Sequence, residues 1–330
     1  MGFKVILSLD YHDPPPWVHE NYPYSYYVNQ FGERWTGDTF TVGDEVVLDA
    51  RGAVEDLTPT DNGDANLVFN KELRGLVASY MKDVFADLGT DFWAVRLGGG
   101  CYGNVTYPPD HFGGKNNLYW AYDANAQRSA TEAGIGDWMP GDPSPDGKAA
   151  RFLNWYLDSL VGYHSWQIQA LRQAGYAGSI MLLHPGRGIR PGDIEEATAA
   201  NLDGSTLAEA TGVNQSGHDF ARQVGAIEDD NAFVTTTWLD TPASGDESRD
   251  PRLWSPVKYL SSLAKSHPLD LEVYGKNTGQ GDEAAMAFSM RQMRRHGLTG
   301  MAWYNQRELF SVRYATLADY QRAIQSSQER

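Results

Sequence analysis

Six stretches of this chain end in residues able to do chemistry: Asp10, Tyr11 and His12; Arg96; His184 and Arg187; Trp238 and Asp240; Lys276 and Asn277; Trp303, Tyr304, Asn305 and Glu308. Carboxyl groups can donate or accept protons, and two of them flanking one bond could support hydrolysis. A lysine with a desolvated amine could form a Schiff base. Aromatic rings offer flat apolar faces to a ligand. Any one such residue reads as a satisfied loop polar group, but six consecutive segments ending this way point to a shared face. His12, His184 and Asp10 come from different segments and lack ligand spacing, so no metal is expected, and no cofactor motif is present.

Each of these residues closes a short apolar run. The runs are Lys4–His12, Phe92–Gly100, Ser179–Gly186, Ala232–Asp240, Leu271–Asn277 and Leu298–Asn305. Between them, helical periodicity predicts helices over Asn70–Leu88, Ala150–Ala174, Pro256–Lys265, Glu283–His296 and Leu317–Ser327, with a variable helical stretch up to Ile227. Gly89, Gly175 and Gly297 supply the stops. In Asn-Gln-Ser-Gly-His-Asp, ending at Asp219, a nucleophile–base pair is less economical than a helix start capped by Ser216. Strand–helix alternation predicts α/β architecture with a parallel sheet. A doubly wound open sheet is the competing arrangement. It would carry its ligand on a Gly-rich first turn, whereas the first turn here is Asp-Tyr-His-Asp-Pro-Pro-Pro-Trp and no helix directly follows Gly98–Gly100. A barrel is therefore preferred, as a single domain over residues 1–330.

Composition narrows the partners. The chain has 330 residues, 41% hydrophobic and 21% charged, which suits a folded protein. With 27 basic and 43 acidic residues the formal charge is −16, which disfavours nucleic acid and anionic membranes. No apolar run approaches the roughly 20 residues of a membrane helix. The single cysteine, Cys101, allows no internal disulfide. No signal-peptide pattern opens the chain, which leaves localisation and oligomeric state open. Asn104-Val105-Thr106 and Asn214-Gln215-Ser216 are chance glycosylation sequons. Ten tryptophans and eighteen tyrosines are present. Of these, Trp17, Tyr22, Tyr24, Tyr102, Tyr107, Trp120, Trp138 and Trp254 sit in loop-like stretches, where they either pack under long loops or line a sugar-binding cleft.

The segments Gly2–Val18, Val28–Trp35, Arg96–Pro109, the helix and strand reaching Met181–Gly192, Tyr274–Asp282 and Gly300–Phe310 resemble glycoside hydrolases with (β/α)8 barrels. The likeness is to the family-42 β-galactosidases and, more distantly, the β-amylases. It implies a TIM-type barrel in which the visible strands are the third to the eighth, the first two lying upstream of Met1, and a carbohydrate or glycoside ligand. In those families glutamates at the fourth and seventh strand ends act as acid/base and nucleophile. The matching positions here are Asn104 and Lys276, so both catalytic glutamates are replaced. Glu272 shares the strand parity of Lys276 but lies about 13 Å deeper by strand rise. The resemblance also implies that Asp10, His12, Trp17, Arg96, Tyr102, His184, Arg187, Trp238, Asn277 and Trp303 contact substrate. Three readings stay open: β-galactosidase-type hydrolysis with relocated acids such as Asp10, Asp240 or Glu308; a sugar-binding pseudoenzyme; and a Schiff-base lyase using Lys276, against the plainer reading that Lys276 pairs with Glu308 or Asp10.

Overall fold

The computed structural model describes residues 4–9, 11, 14–37, 40–42, 46–48, 63–100, 104–241, 244–277, 282–303 and 316–328. The chain divides into two compact units, one of Met1–Gly178 with Gly192–Gly217, the other of Ser179–Pro191 with His218–Arg330.

In the first unit, β1 (Ile6–Ser8) pairs in parallel with β4 (Ala94–Arg96), placing Ser8 beside Arg96. The connection between them holds α1 (Pro16–Asn21), an antiparallel hairpin of β2 (Phe40–Val42) and β3 (Val46–Leu48), and α2 (Lys71–Leu88). The Asn70 side chain caps α2 by accepting from the Glu72 and Leu73 N–H groups, and Leu73, Val77, Met81 and Phe85 form its buried stripe. Burying four such side chains contributes roughly 1.5–3 kcal/mol each before entropy is subtracted. Asn70→Ala should cost about 1 kcal/mol, readable as a lower urea midpoint at unchanged slope.

After β4 come α3 (Ala124–Glu132), the long α4 (Lys148–Gln173), α5 (Asp193–Ala199) and α6 (Leu207–Ala210). The loop aromatics largely pack here. Tyr107 stacks on Tyr156 at 3.9 Å and meets Tyr27 edge-on. Trp35 and Trp120 cross at 5.6 Å, their indole N–H groups donating to Asp64 and to the Pro109 carbonyl. Tyr107, Trp120 and Trp138 are therefore core, whereas Trp17 (48%) and Tyr24 (56%) are exposed.

The second unit follows the parallel order β5 (Ser179–His184), β6 (Ala232–Thr236), β7 (Val273–Lys276) and β8 (Gly300–Ala302). Between the strands lie α7 (Phe220–Gly225), a 3-10 turn at Pro251–Leu253, α8 (Pro256–Ser266) and α9 (Glu283–His296). The last helix, α10 (Leu317–Gln328), follows β8. β6 is buried along its whole length and β5 from Ile180 onward, as parallel strands covered on both faces require. Gly297 ends α9 in the left-handed conformation, φ +66°. Lys265 donates to the His296 carbonyl at 2.7 Å, joining the ends of α8 and α9.

All six expected strands and all five bounded helices are present, and the fold class is that of a partial TIM-type (β/α) barrel. One local expectation is corrected. Asp219, not Ser216, caps α7, accepting from the Arg222 N–H, because the helix begins at Phe220 and Ser216 lies three residues before its cap position.

Candidate functional site

In the second unit the register sets which strand-end residues share a side. His184 pairs with Thr236, Thr236 with Gly275, and Gly275 with Met301, so these four lie level on one row. Side chains alternate along a strand, so Lys276 points to the face opposite His184. Tyr274 and Glu272 share the face of Lys276. There Tyr274 Oη donates to Glu272 Oε2 at 3.2 Å, and the Tyr274 ring packs on Phe233 at 4.7 Å. By this register His184 and Lys276 belong to opposite faces of the sheet. Glu272 does share the parity of Lys276, and its carboxylate is taken up by a tyrosine two residues away.

His184 is buried, and its ring meets Phe220 edge-on at 5.1 Å. The loop that follows is shaped by glycines. Gly186 has φ +71°, and a Cβ there would lie 3.7 Å from His218 Nδ1 and 4.0 Å from Trp238 Cζ2. His218 and the partly exposed Trp238 (37%) thus flank the same turn. The surrounding protein holds His218 down to about 4, by desolvation of its charged form, so the ring is neutral at pH 7. Gly188 abuts Phe220, where a Cβ would sit 2.6 Å from the ring.

Arg187 is half-buried, and Arg190 is almost fully buried, its guanidinium 4.0 Å above the Tyr259 ring and donating to the Trp254 carbonyl. Neither His218 nor Arg190 stands out as functional in the sequence pattern. His218 reads there as part of a helix start, although its neighbourhood of Ser, Gly and Asp is a visible signal. Beyond β6, the Leu239 N–H donates to the Lys276 carbonyl at 3.1 Å. That bond seats Asp240, half-buried, one residue past a continuation of the ladder. Asn277 is fully buried. Trp303 packs against Tyr320 at 6.3 Å and the Met286–Ala323 cluster, which places it on the α9–α10 helix layer.

In the first unit a polar network closes β4. Tyr11 donates to Gln167 Oε1, which also accepts from the Gly98 N–H at 3.2 Å, and Tyr163 Oη donates to the Gly98 carbonyl. Burial drives the Tyr11 and Tyr163 hydroxyls well above the usual phenol range, so both remain neutral donors. A Cβ on Gly100 would strike the Thr106 carbonyl at 2.3 Å and that of Asn104 at 2.7 Å, so half-buried Asn104 lies close against Gly100. Arg96 is half-buried at the end of β4, and Trp17 stands on α1, 6.4 Å from Tyr22. Of the sequons, the second is inaccessible because Asn214 is fully buried. Asp10, His12, Tyr102, Tyr304, Asn305 and Glu308 lie outside the described residues.

No family model matches the sequence, and no curated protein does. Solved structures do match in fold. The catalytic domain of a beta-amylase from Paenibacillus polymyxa aligns over 89% of this chain and 71% of its own, at 16% identity and TM-score 0.57. A beta-galactosidase from the psychrophilic Marinomonas ef1 aligns over 99% of this chain, at 11% identity and TM-score 0.55. This chain spans about half, 49%, of that second protein. The chain therefore shares the barrel fold of a beta-amylase and a beta-galactosidase.

Proposed function

We propose that this protein binds a carbohydrate at its strand ends and does not cleave it by the two-glutamate route. The observation that carries the reading is Trp238, which stands partly exposed past the end of β6 beside neutral His218, over a glycine that leaves its edge clear. An indole held this way offers an apolar face to a pyranose ring, and a neutral imidazole can accept or donate a hydrogen bond to a hydroxyl. Asp240 is a hydrogen-bond acceptor near the same strand end. The strand end of the first unit carries polar groups of the same kind in Arg96 and Asn104.

Hydrolysis needs one carboxyl group protonated and another ionised across the glycosidic bond. An amide at 104 cannot deliver a proton, and an ammonium at 276 opposes rather than stabilises a developing oxocarbenium ion. Lys276 as a Schiff-base nucleophile would need a lysine desolvated enough to lose its proton and a carbonyl substrate to attack.

The test combines binding and turnover. Calorimetric titration with a galacto-oligosaccharide and a malto-oligosaccharide should show binding to at least one of them that weakens by about tenfold or more in Trp238→Ala. 4-Nitrophenyl glycosides should be left intact. Turnover that disappears in Asp240→Ala or Glu308→Ala would replace this reading with that of a hydrolase using relocated acids.

A further inference from the structure

A shallow groove of about 590 Å³, broadly open to solvent, runs between α3 and α4 and is lined by no strand-end residue. Its α4 wall is Arg151, Asn154, Trp155, Asp158 and Ser159, spaced i, i+3, i+4, i+7 and i+8, so that one helical face supplies all five. Ser129 stands opposite on α3. Ala133 and Ala150 also line the groove, and their methyl groups leave the space between the helices unfilled.

Trp155 is a rigid anchor. Its ring stacks on Phe69 at 5.3 Å and leans on Phe152 at 5.8 Å, and its Nε1 donates to Ser129 Oγ at 3.1 Å. With its donor engaged and its inner surface backed, the half-exposed indole presents carbon surface to the groove. Around that surface stand the Asn154 carboxamide, which donates to the Ala150 carbonyl, the Ser159 hydroxyl, which donates to the Trp155 carbonyl, and the Asp158 carboxylate. An amide oxygen, a hydroxyl oxygen and a carboxylate have more than one lone pair each and can accept from a sugar hydroxyl while a ring covers the C–H face. The groove's charges oppose one another: Arg151 reaches Asp146 at 3.4 Å, and Asp158 adds a further negative group. An anionic ligand is therefore not favoured.

We propose that this groove is a second carbohydrate-binding site, for a neutral oligosaccharide, separate from the strand-end site. The ligand class rests on the carbohydrate reading above, but the residues are different and the two can fail independently. The experiment uses the full chain carrying Trp238→Ala, which silences the strand-end site, titrated with maltotetraose and with β-1,4-galactotetraose by calorimetry. One of the two should still bind. Adding Trp155→Ala should weaken that residual binding by about tenfold or more. Because Trp155 also packs on Phe69 and Phe152, the exposed Asp158→Ala serves as the second variant, with an expected loss of about threefold or more, read on protein that a thermal melt shows to be folded. No residual binding in the Trp238→Ala chain, or residual binding that neither added substitution changes, would overturn the proposal. Binding that is indifferent to Trp238→Ala but lost with Trp155→Ala would uphold this groove and refute the strand-end reading.

Discussion

Gly99→Ala should destabilise the protein by about 2–5 kcal/mol. Two costs combine. Gly99 sits at φ +82°, in the left-handed region where an L side chain costs roughly 1–2 kcal/mol. A Cβ there would also lie 2.1 Å from Tyr163 Oη and 2.4 Å from the Tyr11 ring, so both buried rings must shift, at about 1–3 kcal/mol for overpacking. The clash involves the network that ties the end of β4 to α4, in which Tyr163 donates to the Gly98 carbonyl and Gln167 accepts from Tyr11 and from the Gly98 N–H. Urea unfolding measures the loss. Tyr163→Phe supplies the control: alone it should cost about 1 kcal/mol for the lost hydrogen bond, and combined with Gly99→Ala it should be less than additive, because the nearest clashing atom is gone. Full additivity, or a Gly99→Ala protein as stable as the parent, would show that the turn is not held against Tyr163.

This glycine also marks what is and is not legible in the sequence. Gly98–Gly100 stands out, but only as a failed dinucleotide motif; nothing local tells that two tyrosines from distant segments close over it. Long-range periodicity is informative. The stripe of α2 and the Glu283–His296 span with its Gly297 stop are readable because four or more side chains repeat at helical spacing. α3 escapes such reading because its buried residues are only Ala126 and Ala130, too small to make a stripe. Asp123, whose side chain caps it, is the available signal. α1 hides in a proline run, although Pro16 at the first turn favours a helix start. The β2–β3 hairpin lies inside a connection whose composition reads as loop.

The site is less legible than the fold. Polar residues at strand ends identify a rim, but the side of the sheet each occupies depends on register. In a parallel sheet, register is fixed by how each crossover helix packs, not by a local turn. A one-residue difference separates Gly275, level with His184, from Lys276, on the other face. Trp303 shows the same limit. Its strand-end position suggests substrate contact, but the ring packs against Tyr320 of α10, and no local pattern links the two residues.

Lowering the pH from neutral to about 4.5 should remove roughly 2–3 kcal/mol of stability through His164 alone. This histidine lies on the buried face of α4, 2% exposed, and burial holds it down to about 4 from an ordinary 6.5. The folded chain thus favours the neutral ring. The contribution is fully present above pH 6.5, where both states are unprotonated, and is lost as pH falls toward 4, because the unfolded chain takes up the proton first. A difference of about 2.5 pH units corresponds to roughly 3 kcal/mol when the fall is complete. His19, His218 and His296 are also shifted down by burial and act in the same sense. Asp123 acts in the opposite sense: burial pushes it up to about 6 against its hydrogen bonds, so between pH 3.8 and 6 the folded state gains relative to the unfolded one as pH falls. The raw pH profile mixes these groups, and a difference between two proteins isolates one. His164→Phe keeps the ring's shape, and Nδ1 has no hydrogen-bond partner among the described residues, so the substitution strands no partner of that nitrogen there. Urea unfolding at pH 7.5 and 4.5 should show the variant gaining on the parent by roughly 2–3 kcal/mol at the lower pH. Parallel losses in the two proteins would mean that His164 is not the buried neutral group the packing of α4 makes it.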